Sequence, residues 1–371
     1  MSRLKAFFLS LILIISSSTI WLTSCSESEI SKPDFDRTTM LQNMADNLIK
    51  PAYSDLMNSV LALQTATTNF TENTTSTTLK EAQLAWEASY LDFQYTNAYN
   101  FGPAGPEGLQ KAFIEEVAIF PVNADKIENA ISTGTYSLTD ANRDTRGFLA
   151  VEYLLFNVNE GSSSVVAKFE SASRKKYLND LMENLRSRTE AISTAWNTGF
   201  SATFIANNGT NVGSSTSALY NEFLKSFEAL KNFKLGLPLG KISGQTHTEP
   251  TKVEAYYSGK SIEMLKAHMQ ALENIWYGRS KSGIDGIGFE EYLQNVTGGE
   301  ALISATKMQL ENISLAMDAV STDSPLSVQI QNAPNTLDAL FTELQKNTRY
   351  FKSDMSSLLG IAITFSDADG D

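Results

Sequence analysis

Few residues in this chain could do metal or nucleophilic chemistry, and the most informative of them sit in one segment. Arg146-Gly147-Phe148-Leu149-Ala150-Val151-Glu152-Tyr153 runs into the apolar Leu154-Leu155-Phe156. On a helix, positions 149 and 152 are three apart and share a face. Glu152 offers a carboxylate there, whereas Leu149 has no lone pair and no titratable proton. One carboxylate falls short of the three or four donors that a transition-metal site needs. Glu152 therefore has two readings: a cleft carboxylate that takes a cation or a polar ligand group, or an anion held by arginine or backbone donors for structure alone. The chain has two histidines, His247 and His268. The first stands in a Gly-rich stretch as His247-Thr248-Glu249 and reads as a loop residue; the second falls in an apolar-striped segment and reads as helix packing. Asp367, Asp369 and Asp371 alternate like the start of a calcium loop, but no glycine at the sixth position and no distal glutamate follow, so a solvated tail is expected. There is no phosphate-binding glycine loop, no nucleophile elbow and no basic patch.

The elements that position these residues read as helices throughout. Leu79, Ala82, Trp86, Tyr90 and Phe93 recur at spacings of three and four, as do Leu178, Leu181, Leu185, Ile192 and Trp196. Ile262, Leu265, Met269, Leu272 and Trp276 repeat the pattern, and so do Ile303, Leu310, Ile313, Met317 and Val320. No sustained strand-type alternation is present, so the fold class is all-α. The Gly, Asn, Ser and Thr of residues 207–217 read as a linker between two helical bundles, 34–206 and 218–371. Residues 235–251 read as an irregular crossing, Ser324-Pro325 as a helix cap followed by proline in the first turn, and Pro334 as a kink or a new start.

At the N-terminus Arg3 and Lys5 precede an apolar run from Ala6 to Ile15, and Leu22-Thr23-Ser24-Cys25 follows. That is a secretory signal peptide over residues 1–24 ending in a lipobox. The apolar run is shorter than the ~20 residues that span a bilayer, so cleavage is expected, with lipidation at Cys25 and a tether over residues 25–33. Cys25 is the single cysteine, so the exported body contains no disulfide and must be stabilised by burial. Without residues 1–24 the formal charge of −13 becomes −15. A body this acidic argues against nucleic acid and anionic lipid headgroups as partners. Ser26 after the cysteine resembles outer-membrane sorting, and Ser26-Glu27-Ser28-Glu29 the surface-export tethers of Bacteroidetes. The expected location is the cell envelope, lipid-anchored, on the outer membrane.

The motif segment resembles the imelysin family, whose signature is Gly-x-His-x-x-Glu followed by an apolar, tyrosine-containing stretch. The resemblance extends through Pro51-Ala52-Tyr53, Ala82-Gln83-Leu84-Ala85-Trp86, Phe101-Gly102-Pro103, Gly288-Phe289 and the terminal Ser366 to Asp371. It implies two helical bundles with the signature near a cleft between them, and hence Arg146, Gly147, Leu149, Glu152 and Tyr153 as cleft residues. The family is exported, associated with iron acquisition, and has been described as metallopeptidase. Leu149 replaces the signature histidine, the residue that would share one metal ion or a hydrogen bond with Glu152. The expectation is a non-catalytic binding lipoprotein serving iron or metal uptake, whose ligand is a divalent or iron cation at Glu152 and whose partner is an outer-membrane receptor. The alternatives are a metallopeptidase and a structural or surface-interaction lipoprotein.

Overall fold

The computed structural model of the protein describes residues 34–108, 112–156 and 161–365. The signal peptide, Cys25, the tether and the aspartates at 367, 369 and 371 lie outside the described residues. No strand is present among the described residues.

Each apolar stripe becomes the buried face of a helix. Helix α1 (Arg37–Asn43) starts at Asp36, whose carboxylate accepts from Thr39 N–H. It leads through a π-helical segment, Met44–Ile49, into α2 (Lys50–Glu72). Thr75 and Thr78 then form a capping box that opens α3 (Ser76–Gln94). The short α4 (Phe113–Val117), α5 (Ala124–Thr133), α6 (Gly147–Leu155) and α7 (Ala172–Ala195) follow. Helices α2, α3 and α7 pack side by side, and α6 lies against both α3 and α7. Trp86, Tyr90 and Phe93, each one turn on from the last, meet Phe148 of α6 in a fully buried aromatic cluster. The Tyr90 and Phe93 rings stack at 5.5 Å, and each lies within 5.2 Å of Phe148.

The second half contains α8 (Ser215–Glu228), which continues into a π-helical segment, Ala229–Gly236. Then come α9 (Ser261–Tyr277), α10 (Gly299–Asp318) and α11 (Asn335–Arg349). Helix α9 packs on α3, so one continuous apolar core passes from one half of the chain to the other, and from Phe35 onward the chain forms one compact unit. The stretch expected as a linker ends earlier than the sequence suggests. Ser214 accepts from Ser217 N–H and starts α8, and the preceding loop is tied to α1 by Asn208, whose carbonyl accepts from Arg37 Nε and whose Nδ2 donates to Thr38 Oγ1. Ser324 is not a cap either: Pro325 itself holds the cap position of the helix Leu326–Asn332, and Pro334 that of α11.

Candidate functional site

Helix α6 is nine residues long and almost wholly buried, which its nearly unbroken apolar sequence requires. Its ends are held by the neighbouring helix. Trp86 Nε1 donates to the Phe148 carbonyl at 2.8 Å, and Gln83 Nε2 donates to the Leu155 carbonyl at 2.8 Å. At its N-terminus Gly147 adopts φ +76°, and a Cβ built there would lie 2.1 Å from the Val117 carbonyl oxygen. Only glycine permits that conformation and that approach together.

Glu152 projects from this helix and is 1% exposed. With Leu149, itself 3% exposed, it lines a cavity of about 230 Å³ that also takes in Phe120, Pro121, Tyr256 and Tyr257. Glu152 Oε1 accepts from the backbone N–H of Ser258 at 2.7 Å. Among the described residues no ion pair reaches it. Burial pushes its carboxyl up to about 7; donors on Ser258 and Tyr257 oppose that rise, and the nearby Glu254 adds to it.

Glu254 is held differently. Tyr90 Oη donates to its Oε1 at 2.6 Å, and Lys234 Nζ lies 2.9 Å from its Oε2. Lys234 also donates to Gln94 Oε1 at 2.6 Å. One carboxylate of this neighbouring pair is therefore neutralised by a buried ammonium, and the other, Glu152, is answered by uncharged donors.

Two expected cleft residues face elsewhere. Arg146 is fully buried, but its guanidinium pairs with Glu116 and donates to the Leu138 carbonyl. Arg143 and Arg188 reach the same carboxylate. Arg146 therefore holds α4 to the motif instead of lining the cavity. Tyr153 donates to Glu128 Oε1 at 2.7 Å and, with Tyr257, lines a separate hollow of about 120 Å³. The residues that sequence reasoning missed are Glu254, Lys234, Ser258 and Tyr257. Only Val253-Glu254-Ala255-Tyr256-Tyr257 carried a signal, an acidic residue set among apolar and aromatic ones after the irregular crossing.

The donor set does not suit a resident transition metal. Position 149 supplies no nitrogen, His247 lies in an exposed turn with Nδ1 3.3 Å from Thr246 Oγ1, and His268 is committed to Ser226. Among the described residues no group of three or more His, Cys, Asp or Glu is placed to share an ion.

These features define an all-helical protein built around a buried, clamped motif helix with one uncompensated carboxylate. The chain belongs to the imelysin family, whose model matches residues 49–351. It is similar to iron-regulated protein A of Synechococcus elongatus, 21% identical over 264 residues that cover 68% of each chain. Two solved structures share the fold. A protein from Parabacteroides distasonis described as an iron-regulated protein A precursor superposes with a TM-score of 0.74 at 16% identity, and an imelysin-like protein from Psychrobacter arcticum with a TM-score of 0.70 at 16% identity. Each likeness covers 89% of this chain and 97% of the other.

Proposed function

We propose that this protein is a lipid-anchored, non-catalytic binding component of an iron-linked uptake process in the cell envelope, with the Glu152 cavity as its ligand site. The observation that carries the reading is a buried carboxylate with no ion-pair partner among the described residues, beside a leucine in the place of the motif histidine. Such a site asks a ligand to bring positive charge, and gives it one anionic oxygen in return. A metal ion held there would have to bring most of its other ligands with it, because the protein supplies a single donor where hydrolytic sites supply about three and an activated water. The iron-regulated relative supports the iron link. Arg3, Lys5, the apolar run and Cys25 support the anchor, which would place a partner receptor on the same membrane.

Calorimetric titration tests the site. Ferrous iron alone should bind weakly, and ferrous iron offered with one equivalent of 2,2′-bipyridine should bind more tightly, with both signals lost in Glu152→Gln. Chelator-sensitive peptide cleavage by the pure protein, abolished in the same variant, would replace this reading with a metallopeptidase. The anchor is checked by fractionation: Cys25→Ala should move the folded protein from membranes to the soluble fraction, since no helix among the described residues is long and apolar enough to span a bilayer.

A further inference from the structure

A second, larger cavity of about 460 Å³ lies between the α4 segment and the α8 helix with its π-helical continuation. Its lining is divided by chemistry. Ile119, Phe120, Phe233 and Leu237 form an apolar wall. Glu115 of α4 and Glu222 of α8 share a single ammonium, Lys225 Nζ, at 3.7 and 3.6 Å, both beyond hydrogen-bonding distance. The other charges in the lining are already matched, Lys234 with Glu254 and Glu228 with Lys231 at 2.9 Å. Two carboxylates against one lysine leave one negative charge in excess.

The buried side of the lining carries an independent signal. His268 is 1% exposed, and its Nε2 lies 2.7 Å from Ser226 Oγ. Among the described residues its Nδ1 has no partner, and neither has Glu228 Oε1. Both side chains line the cavity, and buried polar atoms normally find a partner. Burial and the nearby Lys234 hold the His268 imidazole well below its ordinary range, so the ring is neutral.

From this arrangement we infer that the cavity is a second ligand site, separate from Glu152, for an organic ammonium compound whose charged head lies on the cavity side of the Glu115 and Glu222 carboxylates and whose apolar body lies along Phe120 and Phe233. An anion is repelled by the excess charge. A neutral apolar molecule leaves the carboxylates desolvated without compensation. A bare divalent cation wants about six oxygens and has no use for the aromatic wall. A protonated amine with a hydrophobic body satisfies both parts of the lining.

The test is titration of the full chain with 2-phenylethylamine, which is protonated across the working range. Burial raises the Glu222 carboxyl to about 7, with Lys225 on its own helix opposing and Glu115 across the cavity adding to the rise. Tyr53 of α2, which also feels the Glu222 charge, stays protonated. Of the other ionisable groups in the lining, Lys234 is paired with Glu254, Glu228 with Lys231, and His268 is neutral. Glu222 is therefore ionised at pH 8 and mostly protonated at pH 6, and binding should weaken about ten-fold between the two. Glu222→Gln, a near-isosteric change whose folding a thermal melt checks, should bind weakly at both pH values. Glu152→Gln should bind like the natural protein, which separates the two cavities. Equal affinity for the uncharged 2-phenylethanol, an unchanged affinity in Glu222→Gln, tighter binding of calcium ions than of the amine, or no saturable binding of the amine would each overturn the assignment.

Discussion

Glu116 and Glu152 are two carboxylates in equal isolation from water, each 1% exposed, on short helices that touch where Gly147 meets Val117. Their surroundings are opposite. Glu116 is enclosed by the guanidinium groups of Arg143, Arg146 and Arg188, and its charge is more than matched. Glu152 has a backbone amide, a hydroxyl and a second carboxylate for company. Burial of an acid is thus not what marks a binding site. The marker is burial without a counter-charge, because the deficit is what a ligand can fill. Glu116 is architecture that fixes α4 to the motif, and Glu152 is the part left unfinished.

The largest effect that can break this comparison is at Glu116. Glu116→Ala strips the counter-charge from buried Arg146, and removal of one partner from such a pair costs about 3–5 kcal/mol. Urea denaturation should show that loss, and a change under ~1 kcal/mol would mean that the three arginines relax to solvent and that the contrast is empty. A middle-sized effect comes from Leu149→His, which rebuilds the family motif one turn from Glu152. If the nitrogen finds Glu152, zinc or ferrous iron should bind more tightly than to the natural protein with little loss of stability. If it does not, the polar ring costs about 1–3 kcal/mol and gains no metal. Calorimetry beside a thermal melt separates these outcomes.

The smallest effect is the pH dependence of stability. The folded-state value of Glu152, about 7, lies above the ordinary 4.5. The folded protein therefore binds more protons than the unfolded chain between those values. The stabilising contribution of the protonated form is complete below 4.5 and is lost as the pH rises to 7. Glu152→Gln removes that slope, so the variant should gain about 1–2 kcal/mol on the natural protein between about pH 5.5 and 7. Parallel stability curves for the two proteins would show that Glu152 is ionised throughout, held by donors that make it as structural as Glu116.

Much of the fold is legible in the chain. Every residue of the four apolar stripes is buried, because three-and-four spacing dictates one face of a helix and that face must leave water. Glu152 and its missing partner at Leu149 are legible through the motif. The rest of the site is not, for a physical reason: Ser258, Glu254 and Lys234 reach it from segments about a hundred residues away in sequence, through turns and a π-helical stretch that have no periodicity to read. Arg146 misleads for the same reason. It adjoins the motif in sequence, yet its direction is set by Glu116, thirty residues earlier, which nothing local announces. His268 reads as packing and does pack, but its neighbours across the second cavity come from other helices.

The contact at Gly147 sets how this site can evolve. A histidine-to-leucine exchange at position 149 is met by neighbouring side chains, which can turn or shrink to accommodate it. Position 147 faces a carbonyl oxygen of another helix, and a carbonyl has no rotamer to offer. The side chain at position 149 can therefore change while the fold is kept, whereas any residue larger than glycine at position 147 must move a backbone.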